Sequence, residues 1–229
     1  MFWEPRASIL SRGVGIVAAL GRPANGTWED AMANEAGGAL HLEVITASTR
    51  EGRKGPAVAA WFLERARRHG RFAIESVDLR LVDLPLLDEP RHPRFRDYRH
   101  EHTKAWSAIV DRADAYVTVT PEYDFGPPAA LVNALQYLQQ EWAYKPMAFV
   151  SYGGVSGGTR SVQMTKQIVT ALKMMPIYEA VSIPFFNNHI DPATGAFAPD
   201  DVQEKAAAAM LDELARWAEA LKPMRGRDA

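Results

Sequence analysis

The stretch HLEVITASTREGRKGPAVA, residues 41–59, decides the fold. Its first eight residues alternate in polarity around the β-branched Val44, Ile45 and Thr46, which reads as a strand. Gly55 and Pro56 then suit the cap and first turn of a helix, since proline lacks an N–H that would have no partner there. Strand, polar loop and helix in that order form the opening unit of a parallel sheet.

The unit recurs downstream. Val58, Trp61, Phe62 and Ala66 give the first helix an apolar stripe, and Gly70 ends it. FAIESVDL (72–79) reads as a second strand, and LVDLPLLDEP (81–90) as a proline-broken loop. A helix from about Thr103 to Arg112 leads into AYVTVT (115–120), a strand of the kind buried on both faces. A further helix carries Leu131, Leu135 and Leu138 on one side. MAFVSY (147–152), a helix from about Thr159 to Met174, and YEAVSI (178–183) follow. Asp201 and Glu204 resemble a capping box for a last helix with Leu211, Leu214, Trp217 and Leu221 at helical spacing. Five strands alternating with five helices predict a doubly wound α/β domain over residues 40–229. Residues 1–39 lack such periodicity and read as an N-terminal extension.

Composition narrows the function. The chain has 229 residues, enough for one large domain with a full core. A net charge of −2 gives no global signal for nucleic acid or anionic lipid. The absence of cysteine excludes disulfides, thiolate metal sites and cysteine nucleophiles. No apolar run reaches the ~20 residues of a membrane span. Arg12 followed by GVGIVAALG is a short imitation of a signal peptide without a convincing cleavage site, so a cytoplasmic location is expected.

In a doubly wound sheet ligands bind beyond the carboxyl ends of the strands. Three loops there have unusual content: STREGRKG, PEYDFGPP and GGVSGG. In the first, Ser48 and Thr49 offer hydroxyls, Arg50 a planar fork, and residues 55–58 the amides of a helix N-terminus, a combination suited to phosphate. The patterns G-x-x-x-x-G-K-[ST] and G-x-G-x-x-G are both missing, which argues against a nucleoside triphosphatase and against a dinucleotide in the usual Rossmann position. A hydroxyl-rich loop suits a terminal monophosphate such as that of FMN. In the second loop Pro121, Tyr123 and Phe125 can line a flat ring system, with Glu122 and Asp124 toward its polar edge. In the third, Gly153, Gly154, Gly157 and Gly158 let backbone approach a ligand closely.

The stretches ITASTREGRKGPAVA, HTKAWSAIVDRADAYVTVTPEYDFGPPAALVNALQYL and KPMAFVSYGGVSGGTR closely resemble the NADPH-dependent FMN reductase family, flavodoxin-like flavoproteins, over residues 41–222. The resemblance implies strand order 2-1-3-4-5 with helices on both faces, and FMN at the three loops. It gives the phosphate to Ser48 and Arg50, with Gly55, Ala57 and Val58 acting through backbone and Lys54 adding charge. It gives the isoalloxazine to Pro121, Glu122, Tyr123 and Asp124, with Ser151, Gly153 and Gly154 bordering its other edge. The implied reaction is hydride transfer from NADPH to FMN and then to a small acceptor: a quinone, an azo compound, a metal oxyanion or free flavin. No residue of the chain is assigned as catalytic acid or base, and a homodimer or homotetramer is implied, with Trp142, Tyr144 and residues 184–190 candidates for its boundary or for packing within the chain. Two positions depart from the family pattern: Asp124 replaces the usual Asn, and Val132 a common lysine. A carboxylate near the flavin disfavours an anionic reduced form and is expected to lower the reduction potential.

Two other readings stay open from the sequence. One is a flavodoxin-like electron carrier that binds FMN without oxidising NADPH, and the other is a scaffold that has lost the cofactor. Residues 91–102 hold three histidines and several arginines; a metal pair at His100 and His102 lacks a third ligand, and Arg91, Arg94 and Arg96 are candidates for the NADPH phosphates.

Overall fold

The computed structural model describes residues 39–225. The extension assigned to residues 1–39 therefore lies, but for its last residue, outside the described residues. Five parallel strands, β1 (Leu40–Thr46), β2 (Phe72–Asp78), β3 (Ala115–Pro121), β4 (Pro146–Tyr152) and β5 (Met175–Ile183), lie in the order β2-β1-β3-β4-β5. The helices are α1 (Gly55–His69), α2 (Leu79–Val82), α3 (Glu101–Asp111), α4 (Ala129–Gln136), α5 (Thr159–Ala171) and α6 (Asp201–Leu221).

Alternation along β1 sends Leu42 and Val44 to one face of the sheet and Ile45 to the other. On the first face they meet Val58, Phe62 and Ala66 of α1 and Leu211 and Leu214 of α6. On the second face Ile45, Tyr116 and Phe149 pack on Trp106, Leu131, Leu135 and Val169 from α3, α4 and α5. Both faces are covered, so β3 and β4 are buried at every residue.

Local chemistry moves several boundaries. Lys54 is the N-cap of α1, with Pro56 in the first turn, and Gly70 closes the helix at φ 78°. The segment expected to be loop after β2 begins as the short α2, because the Asp78 carboxylate caps the Arg80 amide. The last helix is capped one residue earlier than its acidic pattern suggests: Asp200 accepts from the Val202 and Gln203 amides, and Gln203 returns a bond to Asp200. Helix α5 stops at Ala171 because Lys173 turns left-handed at φ 59°. Trp142 is fully buried, with its indole N–H donating to Leu135 and its ring edge-on to Trp106 and Tyr116, so it packs within the chain.

One buried group is at odds with its surroundings. Glu43 shares the Ile45 face, wholly buried, with neither carboxylate oxygen hydrogen-bonded. The Arg112 guanidinium stands 3.9 Å away, beyond hydrogen-bond reach. Burial, and then the charge of Glu75, raise its pKa well above the ordinary 4.5 against the pull of Arg112 and Lys145. The contribution of the neutral acid is complete below the unfolded value and is lost as pH rises through the elevated folded one. Glu43→Gln keeps the shape without the titration. In urea unfolding the variant is expected to match wild type near pH 4 and to exceed it increasingly toward pH 8, by about 1 kcal/mol or more. A difference that does not change with pH would contradict this assignment.

Candidate functional site

Strand β1 ends at a narrow polar pocket. Ser48 is fully buried, and its Oγ has no hydrogen-bond partner. The Tyr152 phenol stands beside it. Burial pushes that phenol up to about 12, with Ser48 and the charges of Arg50 and Arg53 pulling the other way. Both groups crowd Gly55, where a Cβ would stand 2.3 Å from Ser48 Oγ and 2.9 Å from the Tyr152 oxygen. A buried, unpaired donor costs ~1–3 kcal/mol, so a pocket that keeps one is built for something that accepts from it.

Around this pocket Arg50 is exposed and donates from Nε to the Tyr123 hydroxyl at 3.2 Å, joining the first and second loops. Lys54 is exposed, and its carbonyl accepts the Ala57 and Val58 amides at 3.1 and 3.4 Å. Those two amides are thus engaged by the first turn of α1. The loop takes its shape from Arg53, which the sequence did not single out. Its guanidinium holds Asp78 at the end of β2 with two bonds of 2.6 Å and donates to the Ser48 carbonyl at 2.6 Å. A bidentate pair of this kind fixes geometry as well as charge.

The second loop leaves β3 at the buried Pro121. Tyr123 and Gly126 exchange backbone bonds of 3.0 and 2.8 Å around a tight turn. Asp124 and Phe125 occupy its two central positions at φ 48° and 68°, a conformation that suits Asn-Gly and strains a phenylalanine. Phe125 is 64% exposed, with the Arg160 guanidinium 3.6 Å from its ring centre. Asp124 is exposed.

Glu122 is engaged by the third loop and the start of α5. It accepts from Arg160 Nε at 2.7 Å, from the Arg160 amide at 3.1 Å and from Ser156 at 2.9 Å, pinning the third loop to the second. Burial raises this carboxyl, but the hydrogen bonds from Arg160 and Ser156 outweigh it and hold it below the usual carboxylate range.

The third loop is held from beneath. The Ser151 hydroxyl donates to the Gly157 carbonyl at 2.8 Å, and Ser182 adds a second bond at 3.2 Å. Gly153 is buried against Gly158, whereas a Cβ on the exposed Gly154 would meet nothing within 4 Å. The carbonyls of Gly153 and Gly154 accept from Phe186 and Phe185 at 3.2 and 2.9 Å. Phe186 packs edge-on against Tyr152, bringing the chain after β5 to the rim of the site.

The fold therefore gathers the three loops at the carboxyl edges of β1, β3 and β4. It puts Arg94 and Arg96 elsewhere. The chain between α2 and α3 doubles back along the sheet, so Arg96 reaches Asp111 at 2.9 Å and Glu141 at 3.3 Å, where β3 and β4 begin. His102 bonds to Asp88 at 2.9 Å and stacks on His100; among the described residues no group of three or more His, Asp or Glu is arranged to hold a metal ion.

Similarity to known proteins spans the part of the chain that holds these loops. Residues 40–188, more than half of the chain, match the family described as NADPH-dependent FMN reductase. An NAD(P)H-dependent FMN reductase of Schizosaccharomyces pombe is 41% identical over 157 residues, 66% of this chain and 78% of the relative. A quinone reductase of Escherichia coli is 31% identical over 126 residues, half of this chain and 63% of the relative. The solved structure of FerB, a flavoenzyme NAD(P)H:(acceptor) oxidoreductase of Paracoccus denitrificans, superposes with a TM-score of 0.63 at 20% identity, covering 80% of this chain and 98% of that one, and supports the fold alone. With sequence match and loop architecture in agreement, the chain belongs to the NADPH-dependent FMN reductase family.

Proposed function

We propose that the protein is an FMN-containing oxidoreductase that draws electrons from NADPH and passes them to a small acceptor of the quinone class. The observation that carries this reading is the buried, unpaired Ser48 Oγ beside the bare Cα of Gly55. A phosphate seated there accepts from the serine, approaches the helix N-terminus closely, and faces the exposed Arg50. The residues present fit the phosphate of FMN.

Bound FMN supplies the two-electron chemistry that no side chain of this protein can. The chain's own part is to hold and to shield. Arg53 and Asp78 keep the phosphate loop in register with β2. The Tyr123 turn and the Gly153–Gly154 backbone wall the space beyond the phosphate, and the Glu122–Arg160 pair locks those two walls together. The quinone class is favoured by the Escherichia coli relative and by the open, aromatic character of the rim at Phe125.

The test is the anaerobic visible spectrum of the FMN-loaded protein before and after NADPH. Bleaching of the bound flavin within seconds, and return of the yellow colour on adding a benzoquinone, is the expected result. Bound flavin that stays oxidised would identify an electron carrier instead, and failure to take up FMN would remove the reading altogether.

A further inference from the structure

The Ser48 pocket has a second hydroxyl, brought to it by another strand. Tyr152 ends β4, which lies next but one to β1 in the sheet. Its ring belongs to the apolar cluster of Val44 and Val58 and meets Phe186 edge-on at 5.2 Å. Its oxygen comes within 2.9 Å of the point where a Gly55 Cβ would stand, and Ser48 Oγ lies 2.3 Å from the same point. Two hydroxyls from two edges of the fold thus face one small space beside a bare Cα.

A phenylalanine would fill the apolar part of this position equally well. The hydroxyl is buried with the ring, and burial pushes the phenol up to about 12. It stays protonated at neutral pH, with one hydrogen to place. Ser48 has one as well, and its Oγ has no partner. Arg50 and Arg53, the cations that act on the phenol, carry donors only. The Asp78 carboxylate is held through both oxygens by Arg53. If the phenol donates to the serine, the serine hydrogen has no acceptor; if the serine donates, the phenol hydrogen has none. Among the described residues the pair therefore keeps an O–H that nothing in the protein receives, as suits an acceptor-only ligand.

The chemistry of the two groups sets the direction. A phenol is the stronger donor and an aliphatic hydroxyl oxygen the stronger acceptor, so the chain runs from Tyr152 to Ser48 and outward. Donation into Ser48 Oγ also polarises the serine O–H, which strengthens its bond to an anion.

We propose that Tyr152 is a positioning residue for the phosphate: its phenol donates to Ser48 Oγ and turns the serine hydrogen toward the phosphate of FMN. The inference rests on the reading of this pocket as the seat of that phosphate. Tyr152 acts through the serine and not by its own contact with the ligand.

The test is a double-mutant cycle on the full-length protein with Ser48→Ala, Tyr152→Phe and both together. It is read by fluorescence-quenching titration with FMN and, separately, with riboflavin. Tyr152→Phe is expected to weaken FMN about three- to tenfold, the range of one neutral hydrogen bond, and to add nothing when Ser48 is already alanine. Riboflavin, which lacks the phosphate, should bind wild type and Tyr152→Phe alike. Additive losses of FMN affinity would mean that the phenol acts without the serine, and would overturn the proposal. So would unchanged FMN affinity in Tyr152→Phe, or an equal loss for riboflavin, which marks a general packing role. Failure of the wild type to take up FMN would remove the proposed function together with this inference, and that is seen before any variant is compared.

Discussion

Gly55→Ala is expected to strip the protein of FMN while leaving it folded. The added methyl would stand 2.3 Å from Ser48 Oγ, 2.9 Å from the Tyr152 oxygen and 3.2 Å from Thr46 Cγ2. The closest of these is the tip of a short side chain, which can rotate away at the cost of a rotamer change, so the backbone need not move. The phosphate pocket, however, loses its central donor and its open floor together. A hydrogen bond to a charged group contributes about 1.5–3 kcal/mol, which makes Ser48→Ala roughly 10- to 100-fold weaker for FMN. Gly55→Ala adds the methyl's bulk and should exceed 100-fold, with unfolding free energy within about 2 kcal/mol of wild type. Fluorescence-quenching titration with FMN measures the first quantity and urea unfolding the second. Wild-type affinity in Gly55→Ala would place the phosphate somewhere other than this pocket.

The strand pattern and the loops that carry glycine or hydroxyl were legible in the sequence because each depends on residues close together in it. The β-branched run of β3 and the Gly70 stop are of this kind. What the sequence withheld is choice of partner. Arg53 meets Asp78 across 25 residues, and Arg160 meets Glu122 across 38. Many acids and bases lie within those spans, and only the crossover geometry selects the pair. The same limit explains the C-terminal helix. Asp200 and Asp201 both have a Gln or Glu three residues on, and the extended backbone at Asp200, φ −97° and ψ 175°, selects it as the cap. The arginines of residues 91–96 look alike at either edge of the sheet, and the path from α2 back to the end of α3 decides which edge they serve.

Gly158→Ala should be the more damaging substitution, because the added methyl would meet the backbone of β4 and the Ser151 Cβ fixed to it, 2.8 Å away. Gly158 is the N-cap of α5 and sits at φ 85°, where an L-residue pays about 1–2 kcal/mol. Its Cβ would lie 2.8 Å from the Tyr152 amide nitrogen and 3.0 Å from the Tyr152 carbonyl oxygen, within β4 itself. Neither atom can rotate away, so α5 or the end of β4 must shift, adding about 1–3 kcal/mol of overpacking. A total near 3 kcal/mol or more is a large part of the roughly 5–15 kcal/mol that holds a domain together. The shift would also pull Ser156 and Arg160 off Glu122, so FMN affinity should fall with stability. Gly154→Ala is the control in the same loop: its Cβ meets nothing within 4 Å, and unfolding should stay within about 0.5 kcal/mol of wild type. If urea midpoints for the two variants coincide, the packing of the third loop against β4 is not what holds this site open.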